Sequence, residues 1–148
     1  MIIDDTLEMA DAVALNTGAA GGYLIGDQVD LTLARDIGQG QALYLVITVD
    51  TAATSGGAAT AAFELRSDST ATVDEATGTF HLSSGAIPVA TLVAGYKLVM
   101  PLPVEGFAYE RYLGLIQRTA VAAFTAGKVN AFITRDPYGW KAYADATN

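Results

Sequence analysis

The stretch "ALYLVITVD", Ala42 to Asp50, alternates with a period of two, and that period decides the fold class. Leu43, Leu45, Ile47 and Val49 fall on one face, and Tyr44, Val46 and Thr48 on the other, so the segment predicts a strand buried largely on both sides. The same period recurs outward from it. "TAAFELRSD" sets Ala61, Phe63 and Leu65 against Ala62, Glu64 and Arg66, a strand with one side on a core and the other in water. "YKLVMPLP" carries Leu98, Met100 and Leu102 on one face and ends in Pro101 and Pro103, which blunt a sheet edge. "RYLGLIQRT" and "GKVNAFITRD" add two more strands, and "GYLIG", "VDLTL" and "TFHLSS" are shorter candidates.

Glycine turns punctuate these runs in "GQGQ", "SSGAIP", "VAGY" and "FTAGK". About seven or eight short strands with such turns predict an all-β sandwich or barrel. "PVATL", Pro88 to Leu92, reads as one helical turn opened by proline. "DDTLEMADAVAL" fits neither period and reads as a short helix or an extended arm. The chain of 148 residues is expected to be one domain, with an acidic arm over about 1–16 and an aromatic tail over about 137–148. "DTAATSGGAATAAFELRSD", Asp50 to Asp68, carries no charge between Asp50 and Glu64; it reads as a hairpin connection whose Gly56 and Gly57 supply positive φ angles.

Charged residues make up only 16% of the chain and apolar ones 51%, so part of the surface is expected to be hidden against a partner. The net charge of −8 is uneven: residues 1–75 hold 12 acids and 2 bases, residues 76–148 hold 4 acids and 6 bases. That balance argues against nucleic acid, which demands clustered arginine and lysine, and suits a basic protein surface. No apolar run approaches the roughly 20 residues of a membrane helix, and the acidic start lacks the bases of a signal peptide. A soluble, unexported protein with no membrane contact is expected. With no cysteine, disulfides, thiolate metal sites and a cysteine nucleophile are excluded.

Candidate chemistry is sparse. Neither Gly56–Gly57 nor "AAGG" is followed by the lysine and helix of a phosphate loop. Asp4, Asp5, Glu8 and Asp11 lack the spacing of a calcium loop and read as a solvated acidic face or a contact to a basic partner. His81 is the single histidine; it stands near Ser83 and Ser84 without a nucleophile elbow, so a structural role is expected. Glu105 and Glu110 have no support as a glycosidase pair beyond residue type. No catalytic residue, cofactor or metal is expected. The aromatics carry more: Tyr109 and Tyr112 flank Arg111, and Tyr138, Trp140 and Tyr143 crowd the tail, residue types that either lid a core or anchor an interface.

"SSGAIPVATLVAGYKLVMPLP", "ERYLGL" and "FTAGKVNAFITRD", with the acidic "DDTLEMADAVAL" and the central "ARDIGQGQALYLVITVDTAATSGGAATAAFELRSD", resemble the capsid cement, or decoration, proteins of short-tailed bacteriophages over about residues 3–136. The resemblance implies a jelly-roll-like antiparallel β-sandwich, not an enzyme, made in the host bacterial cytoplasm and carried on the outside of the virion. There it would bind the major capsid protein shell and its own copies, as a homodimer or a trimer. The interface residues expected are Asp4, Asp5, Glu8 and Asp11 for a basic shell surface, and Tyr109, Arg111, Tyr138, Trp140 and Tyr143 for apolar and cation contacts. The rival readings are a jelly-roll binding module, either carbohydrate-binding or the receptor-binding head of a tail fibre, and a hydrolase with His81 beside a carboxylate in a cleft.

Overall fold

The computed structural model describes residues 5–35, 37, 40–103 and 109–138. A 3-10 turn, Asp5–Leu7, leads into β1 (Glu8–Ala14) and β2 (Gly21–Asp30). Then come β3 (Tyr44–Ser55), β4 (Thr60–Asp68), β5 (Thr79–Ser83) and the two-residue β6 (Ile87–Pro88). A second 3-10 turn, Val89–Thr91, precedes β7 (Lys97–Pro101), β8 (Tyr112–Ala120) and β9 (Phe124–Thr134). One antiparallel sheet has the order β1-β9-β3-β7 and the other β2-β8-β4-β5, with β6 pairing on β4. Chain order and sheet order together are those of an eight-stranded jelly roll with β6 as an addition.

The alternation read from the sequence sets the core. Leu45, Ile47 and Val49 of β3 and Val129, Ala131 and Ile133 of β9 meet Phe63 and Leu65 of β4 and Leu113 and Leu115 of β8 in one buried cluster. The opposite face of β3 is also shielded: Val46 pairs with Phe132, and neither exposes any surface. Both faces of "ALYLVITVD" are thus largely buried, as its composition requires. β7 is an edge strand ending at Pro101, and Pro88 precedes the second 3-10 turn, both as expected.

Several expectations are corrected, and bulges explain most of them. From Glu8 onward the expected arm is edge strand β1, paired with β9 and burying Met9 and Ala10. Its register shifts twice and Ala12 takes φ 47°, so its apolar residues follow no regular period. "GYLIG" and "VDLTL" merge into β2, broken by a shift between Ile25 and Val29. The turn between the last two strands falls at Val121 (φ 70°), not in "FTAGK", which lies within β9.

The Asp50–Asp68 stretch is not a hairpin. β3 and β4 belong to opposite sheets, so the link Gly56–Ala59 crosses the end of the sandwich. Neither Gly56 nor Gly57 has a positive φ. The crossing is held instead by Ser55 Oγ donating to the Ala123 carbonyl (2.7 Å) and by Val89 N–H donating to the Ala59 carbonyl (2.9 Å).

The outer side of β4 is not open to water either. The β4–β5 connection lies over it: Val73, fully buried, packs where a Cβ on Gly114 would stand 2.7 Å away. Gln28 Oε1 accepts from the N–H groups of Thr72 and Val73, at 2.9 and 3.1 Å. Beneath this cover Arg66 pairs with Glu64 at 2.8 Å and donates to the carbonyls of Glu75 and Gly78.

Candidate functional site

The buried polar groups come first, because chemistry would require them. His81, on β5, places Nε2 2.7 Å from Ser67 Oγ on β4, and the same hydroxyl accepts from Glu110 N–H at 3.1 Å. The imidazole lies against the Tyr109 ring at a centroid separation of 4.3 Å. Burial pushes the His81 pKa below its ordinary 6.5, which keeps the ring neutral at neutral pH. The serine partner is therefore Ser67 on the adjacent strand, not the neighbouring Ser83 or Ser84. Ser67 exposes no surface, so its hydroxyl meets no solvent-borne substrate. Gln117 is used the same way: its side chain accepts from Asn16 N–H and donates to the Asn16 carbonyl, tying the β1–β2 connection to β8. Among the described residues no group of His, Asp and Glu is arranged to hold a metal ion.

The expected interface residues separate into three groups. Tyr109 is corrected to a core residue: it is wholly buried, and its hydroxyl donates to the Pro103 carbonyl at 2.7 Å. Sequence alone could not show this, because the contacts are distant in the chain: the ring lies against His81 of β5, and the backbone bridges to Arg35 in the β2–β3 connection. Asp4, Trp140 and Tyr143 lie outside the described residues, as do Asp36 and Glu105 and the side chain of Asp5. Glu8, Asp11, Arg111 and Tyr138 reach the surface.

Glu8 and Asp11 sit on β1, the edge of one sheet, and Asp27 sits on β2, the edge of the other. The two edges pass so closely that a Cβ on Gly26 would collide with the Met9 carbonyl oxygen, and Gly26 takes φ +67°. Acids from separate parts of the sequence thus line one side of the sandwich. Arg111 is engaged with an acid of its own neighbourhood. It grips Asp30 in a two-pronged pair at 2.9 and 2.8 Å and lies 4.8 Å over the Tyr112 ring. That grip lowers the Asp30 pKa to about 2 and raises that of Arg111. Tyr138 is 83% exposed and borders an open cleft of about 520 Å³ with Tyr44, Lys97, Val99 and Pro137. The Lys97 ammonium donates to the Pro137 carbonyl at 2.7 Å.

A fourth feature escaped the sequence reading. The β1–β2, β3–β4, β5–β7 and β8–β9 connections gather at one end of the jelly roll. Asn16 bonds to Gln117, Ser55 to Ala123 and Val89 to Ala59, and Gly57 approaches Ala122. Not one residue of those four connections is charged. In the sequence each of the other three connections carries charge: Arg35 and Asp36 in β2–β3, Asp74 and Glu75 in β4–β5, and Glu105, Glu110 and Arg111 in β7–β8. Val121, at the uncharged end, is 77% exposed. The charge gap between Asp50 and Glu64 was visible in sequence, but the three others joined it only through the fold.

A comparison with curated proteins returned no match. A scan against family models matched Bbp16 over residues 9–133, from the second residue of β1 to the penultimate residue of β9. With the match spanning essentially the whole sandwich, the chain belongs to the phage-related Bbp16 family.

Proposed function

We propose that the chain is a capsid cement protein: a non-enzymatic part of the phage virion that binds the outside of the major capsid protein shell and its own copies. It is made in the host cytoplasm and uses no cofactor, nucleic acid or membrane. The observation that carries this reading is the phage-related family match along the full length of a jelly roll. The surface supports it: Glu8, Asp11 and Asp27 present acid along one side, suited to a basic shell, while His81, Ser67 and Gln117 are spent on internal bonds. A protein that binds assembled shell and not loose subunits stabilises the shell by its binding free energy, repeated at every site.

The test is direct. Purified protein is added to shells that lack it, and bound protein is measured after sedimentation, together with shell survival under heat and dilution. Saturable binding with raised survival is expected. Failure to bind, or equal survival of bare and decorated shells, overturns the reading. A second reading, a glycan- or receptor-binding module, rests on the cleft that Tyr44, Tyr138 and Lys97 border. Saturable glycan binding that Tyr138→Ala abolishes would favour it over the first.

A further inference from the structure

We propose that the outer face of the β1-β9-β3-β7 sheet is a docking groove for the chain's own tail, residues 139–148, seated through Trp140 and Tyr143. The inference stands whether or not the protein binds a shell. Register sets Glu8 of β1, Phe132 of β9, Val46 of β3 and Val99 of β7 side by side in one row across this face, and Asn130, Thr48 and Lys97 in another. Val46 and Phe132 alternate with the inward Leu45, Ile47, Ala131 and Ile133, so they point away from the core between the sheets. Val99, at the edge of the row, is 38% exposed, yet Val46 and Phe132 in its middle expose nothing. Neighbours within a sheet shield the flanks of a side chain and leave its outer end in water. A phenylalanine with no exposed surface on that face therefore lies under a cover. Among the described residues only Pro137 and Tyr138 are placed over this face, and they border its β7 side.

The occupant follows from where the chain is heading. β9 ends at Thr134, opposite Tyr44, and the chain then turns: Asp136 N–H donates to Thr134 Oγ1 at 3.2 Å and Tyr138 N–H to Asp136 Oδ1 at 3.0 Å. Pro137 is buried, and its carbonyl accepts from the Lys97 ammonium at 2.7 Å. Lys97 stands opposite Thr48, about 13 Å back along β3 from Tyr44, so the chain has reversed onto the outer face. Tyr138 borders Tyr44 and Val99 there. From β7 to β9 is two strand spacings, about 10 Å, and an extended chain advances about 3.3 Å per residue. Trp140 therefore reaches β3, and Tyr143 reaches β9. Both rings match the apolar pair beneath, and tryptophan and tyrosine each bury about 150–250 Å² when they pack. The two aromatics are then used inside the molecule, as a lid, and Tyr138 is the ring the tail leaves open to a partner.

Trp140 is the only tryptophan of the chain, so its fluorescence reports the tail in the unmodified protein. Emission to the blue of the urea-unfolded chain and reduced quenching by acrylamide are expected, both unchanged on dilution. Phe132→Ala is expected to shift the emission to the red and to restore quenching while the far-ultraviolet circular dichroism keeps its strand signal. Where that variant fails to fold, the full-length Trp140→Ser, Tyr143→Ser double variant carries the test from the other side. It is expected to bind a hydrophobic dye and to unfold at lower urea, whereas Ile2→Ser with Ile3→Ser, at the other apolar terminus, does neither. Trp140 as open to acrylamide as in the unfolded chain overturns the inference, and so does protection that survives in folded Phe132→Ala. Protection lost on dilution places the tail on a second copy and overturns it as well. Dye binding gained by the isoleucine variant and not by the tail variant makes the amino terminus the cover, with the same result. None of these readings involves a shell, so failure here leaves the cement reading to its own test.

Discussion

Replacing Gly26 with alanine tests the crossing of β1 and β2, on which the acidic side of the molecule depends. Gly26 takes φ +67° within the irregular stretch between Ile25 and Val29 of β2. A left-handed backbone costs alanine about 1–2 kcal/mol, of which about 0.4–1 is returned by the stiffer unfolded chain. The larger cost is steric: the new methyl collides with the Met9 carbonyl oxygen and stands 3.1 Å from Ala10 Cβ. Backbone cannot rotate aside as a side chain can, so β1 must shift and disturb the burial of Met9 and Ala10. Forcing a methyl into such a site costs about 1–3 kcal/mol, for a total of about 2–4 kcal/mol. For a domain of this size that is a fall in Tm of roughly 5–15 °C. Gly85→Ala is the control, because Gly85 has φ +70° and open space around its missing Cβ. It isolates the backbone cost and is expected to lose about 1 kcal/mol or less. Urea unfolding of both variants, with equal m-values, gives the difference. If Gly26→Ala is no more destabilising than Gly85→Ala, the close crossing of the two edges is wrong.

Three further outcomes are expected. Burial lowers the His81 pKa in the folded protein, so the unfolded chain takes up the extra proton; stability is full above the unfolded value of 6.5 and declines as pH falls below it. His81→Gln removes that decline in a pH series of urea midpoints, but leaves the second loss, below about pH 4, when Asp68 and Asp30, both held below 3.8, protonate. Val73→Ala is expected to cost about 1–3 kcal/mol and to speed proteolysis within residues 69–78, because Val73 anchors the cover over β4; an unchanged cleavage rate contradicts that role. Tyr109→Ala is expected to cost about 3–5 kcal/mol and Tyr138→Ala under about 0.5, a contrast that thermal melts resolve and that separates the core tyrosine from the surface one.

The strands were legible wherever alternation ran unbroken. β3, β4, β8 and β9 each show it, and their inward residues are those the period selects. Where a bulge adds a residue, the apolar side chains change face and the period is lost. That is why β1, with two shifts and the positive φ at Ala12, was read as an arm, and why β2 was read as two pieces. Alternation also assigns a face without naming what covers it. Glu64 and Arg66 read as the wet side of a strand, yet the β4–β5 connection lies above them, an arrangement set by contacts nine and twelve residues along the chain. Strand partners are equally silent in sequence: the short link from Ser55 to Thr60 has the length and residues of a hairpin, but it joins opposite sheets.

The same limit governs the candidate surfaces. Tyr109, Arg111 and Tyr138 were chosen by residue type, and the fold gave them three different fates: Tyr109 in the core, Arg111 held by Asp30, and Tyr138 alone open to a partner. Residue type states what a side chain offers, whereas availability depends on what the fold has already used. Absence of charge behaves differently, since no later contact can use up a charge that is not there. Four connections without charge lie apart in the sequence, and the jelly roll alternates its connections between its two ends. Every second crossing is therefore brought to the same end, so uncharged links scattered along the chain become one surface.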